Sequence, residues 1–240
     1  MVLSYLGIYI RQRRSPPLNN VLVGRDLNMA GRGKIPLRKW KDLPFVSITL
    51  VAINVLVFIA CSFTGEWLYD RGELHLWGVF GNHEYGRILW AMFLHADENH
   101  IFNNMVILFF LGAMLEKEIG HMKYTLIYFF SGIAGNISSL AAKYIQADMA
   151  ASLGASGAIF GLDGLLLALV LFSGKKMQNV TVPRTVLMVV LSLYSGFTGQ
   201  NIDNAAHVGG LLAGFLCGLL ICLKERITDN QTTSSTGLEY

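Results

Sequence analysis

The chain has 240 residues, of which 53% are hydrophobic and 15% charged, with a mean hydropathy of +0.46 and a net charge of +3. That is too apolar for an ordinary soluble domain and reads as a polytopic membrane protein. Cys61, Cys217 and Cys222 all lie in apolar runs, so they read as small buried hydrophobes and imply no disulfide framework.

Residues 1–42 form a basic segment that the topology below places in the cytoplasm. Residues 1–10 are apolar, with no basic residue before them and Arg11, Arg13 and Arg14 after them. A secretory signal peptide has the reverse order, so this stretch reads as a short interfacial element. Together with Arg25, Arg32, Lys34, Arg38, Lys39 and Lys41 the arm suits contact with the anionic lipid of a bilayer, and nucleic-acid binding is the weaker reading of the same charge.

An apolar helix needs about 20 residues to span a bilayer, fewer where neighbours shelter it. By that measure residues 43–225 hold six spans, at 45–63, 101–115, 124–142, 156–172, 186–198 and 205–223. The second and fifth are short, which calls for a helix surrounded by protein or a locally thinned bilayer. Residues 226–240 are polar, rich in Ser and Thr, and read as a disordered tail. With the N-terminus inside, sixteen of the nineteen Lys and Arg residues fall on the cytoplasmic side. Only Arg71, Arg87 and Lys143 fall outside, so both termini are expected in the cytoplasm.

Polar residues within spans are costly and therefore candidate functional groups. At the mouth of the second span His100 and Asn104 are four apart, on one helix face, and both can donate hydrogen bonds. Their joint reading is stabilisation of an oxyanion together with a backbone N–H of Ser156, and the alternative is capping of the helix start. The fourth span opens Gly154-Ala155-Ser156-Gly157-Ala158-Ile159-Phe160-Gly161. Small neighbours expose the serine hydroxyl and free backbone N–H groups, although taken alone this run is better read as a helix-packing face.

The sixth span shifts that balance. It begins Ala205-Ala206-His207-Val208-Gly209-Gly210, and Gly210, Gly214 and Gly218 recur every four residues along one face. Packed against Gly157 and Gly161, that face brings His207 to the depth of Ser156, the minimum for an activated hydroxyl nucleophile. The other roles open to His207 are a hydrogen-bonded core imidazole, a proton relay or a metal ligand. Asp163, seven residues after Ser156, lies about 10 Å deeper, too far in to orient His207 directly, and suits a buried polar network.

These motifs, in this order and topology, resemble the rhomboid family of intramembrane proteases over residues 43–223. The resemblance implies a six-helix bundle with a Ser156/His207 dyad and no third acid, in a water-filled cavity open to the outside. His100, Asn104 and the Ser156 backbone would be oxyanion donors. Gly112, Glu116 and Gly120 are similar to the family's structural Gly-x-x-x-Glu-x-x-x-Gly pattern, and Arg87 to the arginine of its Trp-Arg motif, with Gly86 in place of the tryptophan. Phe160, where some members carry Tyr, keeps a ring able to stack on His207 but lacks the hydroxyl.

What the resemblance implies is a serine endopeptidase acting on transmembrane protein substrates, with no cofactor or metal, in a membrane that would suit a bacterial plasma membrane. Two rivals stand beside it. One is a non-catalytic rhomboid-like binder of transmembrane clients in quality control. The other is a metal-dependent protein or transporter using His75, His83, His95 and His100, whose spacing matches no zinc-binding helix. Oligomeric state is not legible in the sequence.

Overall fold

The computed structural model describes residues 43–173, 180–198 and 202–236, and the regular structure among them is helical. The first helix, α1 (Phe45–Thr64), leads into a long connection. This holds α2 (Glu66–Gly72), a π-helical turn (Trp77–Gly81), α3 (Arg87–Trp90) and a 3-10 turn (Ala91–Phe93). Then come α4 (Glu98–Ile119), α5 (His121–Gln146), α6 (Ser156–Phe172), α7 (Val182–Thr198) and α8 (Asn204–Thr236). Each of the six predicted apolar runs falls within one of α1, α4, α5, α6, α7 and α8. The basic arm, Lys175 and Lys176 lie outside the described residues.

Three of these segments are long and apolar enough to cross a membrane by length and composition: α1, α5 and residues Asn204–Thr228 of α8. The protein is thus an all-helical, polytopic integral membrane protein. Helix α4 has 22 residues but carries Glu98, Glu116, Lys117 and Glu118. Helix α6 has only 17 residues, about 25 Å at 1.5 Å per residue, against a hydrocarbon core of about 30 Å. Its shortness is explained by its place, because α8, α5, α4 and α7 all pack around it and most of its residues are buried.

Glycine makes the α6–α8 contact possible. A Cβ at Gly210 would collide with the Gly157 carbonyl, and one at Gly214 with the Gly161 carbonyl, so the two backbones touch where side chains normally intervene. The facing pairs are those expected from the sequence. Gly218 continues the stripe against Leu165 and Ala168.

At the other end of α4, Glu116 substitutes for a missing cap. Pro44 precedes α1 and offers no side-chain acceptor to the helix's first N–H groups. The buried Glu116 carboxylate accepts instead from Val46 N at 2.7 Å, Ser47 N at 2.8 Å and Ser47 Oγ at 2.6 Å, and from His121 Nδ1 at 2.6 Å. Gly120, at φ +85°, turns the chain from α4 into α5. Cys61 and Cys222 are buried and Cys217 half-buried, and none of the three is in a disulfide.

Helix α8 does not stop at the end of its apolar run. Its backbone stays helical to Thr236, through the polar stretch that the sequence reading assigns to a disordered tail. No glycine or proline stands between Gly218 and Gly237 to end the helix earlier.

Candidate active site

Ser156 is the first residue of α6, so its hydroxyl projects from the turn whose backbone N–H groups lack helical partners. The chain reaches that point through a tethered segment. Ser152 exchanges two 2.8 Å backbone hydrogen bonds with Leu74 of the long connection, and Gly154 N donates to Ala91 O at 2.8 Å. Gly154 sits at φ +127°, a conformation that L side chains rarely adopt.

His207 lies in the first turn of α8, and the glycine contact between the helices sets it level with Ser156. Its Nε2 is 2.9 Å from Ser156 Oγ. The Phe160 ring, one turn into α6, stacks on the imidazole with centroids 4.1 Å apart and planes inclined by 15°. His207 is buried, and its Nδ1 has no hydrogen-bond partner among the described residues.

His100 and Asn104 enter from α4. Asp97 caps that helix, its Oδ1 accepting from His100 N at 2.9 Å, so the capping alternative raised for this pair falls to a neighbouring residue. Ala96 N points at His100 Nδ1 over 3.5 Å, a long contact compatible with the tautomer that carries its proton on Nε2. That Nε2 and Asn104 Nδ2 both face Gly154: a Cβ there would lie 2.9 Å from the first and 3.7 Å from the second. Asn104 Nδ2 is buried without a hydrogen-bond partner among the described residues. A hydroxyl–imidazole pair, the His100 ring and the Asn104 amide therefore converge on the loop and helix start around Ser156.

A family model of the rhomboid domain matches residues 82–224, more than half of the chain. The chain belongs to the rhomboid family. Among its rhomboid relatives, RHOMBOID-like protein 4 of Arabidopsis thaliana is 35% identical over 228 residues, covering 81% of this chain and 56% of the relative. Bacterial relatives include two from Bacillus subtilis (strain 168). Rhomboid protease GluP is 30% identical over 76% of this chain and 36% of its own length. The putative rhomboid protease YdcA is 32% identical over 72% of this chain and 90% of its own length. The chain spans about half the length of the plant rhomboid-like proteins it matches.

Other features of this rhomboid chain lie apart from that constellation. The histidines weighed as metal ligands do not assemble into a site: His95 and His100 stack edge to face with centroids 5.0 Å apart, and among the described residues no three His, Cys, Asp or Glu side chains converge. Asp163 is buried in α6. An apolar cavity of about 910 Å³, lined by Trp77, Phe80, Tyr85, Ile137, Tyr144 and others, includes none of the candidate residues. Arg87 is buried within the long connection, donating to Glu73 O at 2.9 Å and pairing with Glu84.

Asp203, just before the sixth apolar run, is not among the candidates that the sequence suggests. It is Asp203 that caps α8, accepting from Ala206 N at 3.0 Å. An acidic residue directly before an apolar run is the ordinary sign of a helix start, and that signal was available. Its two further partners, Ser139 and Ser152, come from distant parts of the chain and left no local trace.

Proposed function

We propose that this rhomboid protein is an intramembrane serine endopeptidase, cleaving peptide bonds in or near the transmembrane segments of membrane-anchored proteins. The observation that carries the reading is the 2.9 Å contact between His207 Nε2 and Ser156 Oγ, made between two transmembrane helices where a hydroxyl–imidazole pair is expensive to keep. Six helices cross the bilayer, both termini are cytoplasmic, and the site opens outward. The distribution of Lys and Arg supports that orientation.

In the reaction His207 takes the Ser156 hydroxyl proton through Nε2 while Oγ adds to the scissile carbonyl carbon. The carbonyl oxygen becomes an oxyanion, received by His100 Nε2–H, Asn104 Nδ2–H and the Ser156 backbone N–H. Collapse breaks the C–N bond, His207 returns its proton to the leaving amine, and an acyl ester remains on Ser156. Water, deprotonated by His207, hydrolyses that ester and restores the hydroxyl. Phe160 holds the imidazole plane throughout. A helical substrate hides its carbonyls, so it must unwind locally, and segments containing Gly or Pro unwind at least cost.

Labelling of the purified full chain by a fluorescent fluorophosphonate tests nucleophile activation without a known substrate. Wild type should label, Ser156→Ala and His207→Ala should not, and the same variants should fail to cleave a single-span reporter in liposomes. A folded wild type that neither labels nor cleaves would reject catalysis and leave binding of transmembrane clients as the function.

A further inference from the structure

We propose that Asp203 is a positioning residue for the Ser156–His207 pair, an inference that rests on reading the pair as the catalytic dyad. Three parts of the chain meet at its half-buried carboxylate. Oδ1 accepts from Ala206 N at 3.0 Å and caps α8 four residues before His207. Oδ2 accepts from Ser152 Oγ at 2.5 Å and from Ser139 Oγ of α5. Both serines are buried, with their hydroxyls 3.5 Å apart.

Ser152 lies four residues before Ser156, in the tethered segment that feeds α6. The same carboxylate thus fixes the start of the helix that carries the base and the approach to the helix that carries the nucleophile. Helix ends are where backbone geometry is least constrained by the helix itself. The glycine contacts hold α6 and α8 at closest approach, but the first turns need a separate tie. Hydrogen bonds to a carboxylate are about twice as strong as neutral ones, which suits the group for it. A displacement of about 1 Å between reacting groups costs on the order of 10²-fold in rate, so loss of this tie is felt in turnover.

A plain capping role predicts something different. Asn caps a helix as well as Asp, but Asp203→Asn has one oxygen for three donors and no charge. Capping alone leaves that variant at wild-type activity, whereas positioning lowers it.

The test measures kcat and KM on the single-span reporter in liposomes, per fluorophosphonate-reactive serine, for Asp203→Ala, Asp203→Asn and the double variant Ser139→Ala/Ser152→Ala. Ile107→Ala, a buried apolar site in α4, serves as a control for general destabilisation. We expect kcat to fall about 10- to 100-fold in Asp203→Ala and about 3- to 10-fold in Asp203→Asn and the double variant, with KM within about twofold and Ile107→Ala at the wild-type kcat. Should Asp203→Ala not fold, the other two variants carry the same comparison. Wild-type kcat in the Asp203→Asn and double variants, or an equal loss in Ile107→Ala, overturns the proposal. A wild type that neither labels nor cleaves overturns the dyad reading itself, a failure visible before any variant is made.

Discussion

The two ends of α4 carry polar clusters that are completed in opposite ways. At its C-terminal end the Glu116 carboxylate receives four donors within 2.8 Å, from Val46, Ser47 and His121, and no solvent reaches it. At its N-terminal end Asn104 Nδ2 is buried and has no hydrogen-bond partner among the described residues, and the same holds for His207 Nδ1 across the gap. A buried polar atom left unpaired costs about 1–3 kcal/mol. The saturated end joins helices. The open end is arranged around Ser156 Oγ, and its spare donors are what an oxyanion would use.

The comparison breaks first at the dyad. Ser156→Ala and His207→Ala should each lower cleavage by at least about 10³-fold, while thermal unfolding in detergent stays near that of wild type. Unfolding well below wild type in Ser156→Ala would mean that the hydroxyl is architectural and the two ends of α4 are alike.

Asn104→Ala and His100→Ala should come next. Each is expected to reduce kcat by about 10²- to 10³-fold with little change in KM, as loss of an oxyanion donor does. Because Asn104 Nδ2 has no partner among the described residues, Asn104→Ala should leave the unfolding midpoint unchanged or raise it. The opposite pattern, stability lost and kcat kept, would assign the pair to capping or packing.

Glu116→Ala is the mirror experiment. It strands the Val46 and Ser47 N–H groups at the start of α1 and should cost about 3 kcal/mol of stability, read as a lowered unfolding midpoint, with kcat per reactive serine unchanged. If Glu116→Ala instead lost turnover at full stability, that end of α4 would have to be linked to the chemistry.

Most residues of the candidate site stand out in the chain because each leaves a local mark. A serine among glycines, a histidine heading a Gly210, Gly214, Gly218 stripe, and a His–Asn pair one turn apart are visible at short range, and the stripe even names its facing residues. What stayed hidden depends on residues far apart in sequence. Ser139 and Ser152 reach Asp203 across 64 and 51 positions, and Leu74 pairs with Ser152 across the whole of α4 and α5. Hydropathy marks where an apolar face ends, not where backbone hydrogen bonding does, and α8 runs on past its apolar run to Thr236.

The smallest expected effect sharpens the picture at the open end, where His95 lies beside His100. Burial, with the neighbouring His100 adding to it, pushes His95 down from 6.5 to about 3, and the Phe93 backbone and Asp97 offset only part of this. A histidine depressed in the folded state stabilises it fully above the unfolded value near 6.5. That contribution is lost as pH falls toward about 3, because the unfolded chain takes up the proton first. Between pH 7.5 and 5.5 the loss should be about 1 kcal/mol, seen as an unfolding midpoint that drops on mild acidification. His95→Phe removes the titrating group while keeping an aromatic ring, and should flatten that slope without lowering kcat at pH 7.5. An unchanged slope in His95→Phe would transfer the acid sensitivity to another group, whereas a loss of kcat at pH 7.5 would draw His95 into the machinery around Ser156.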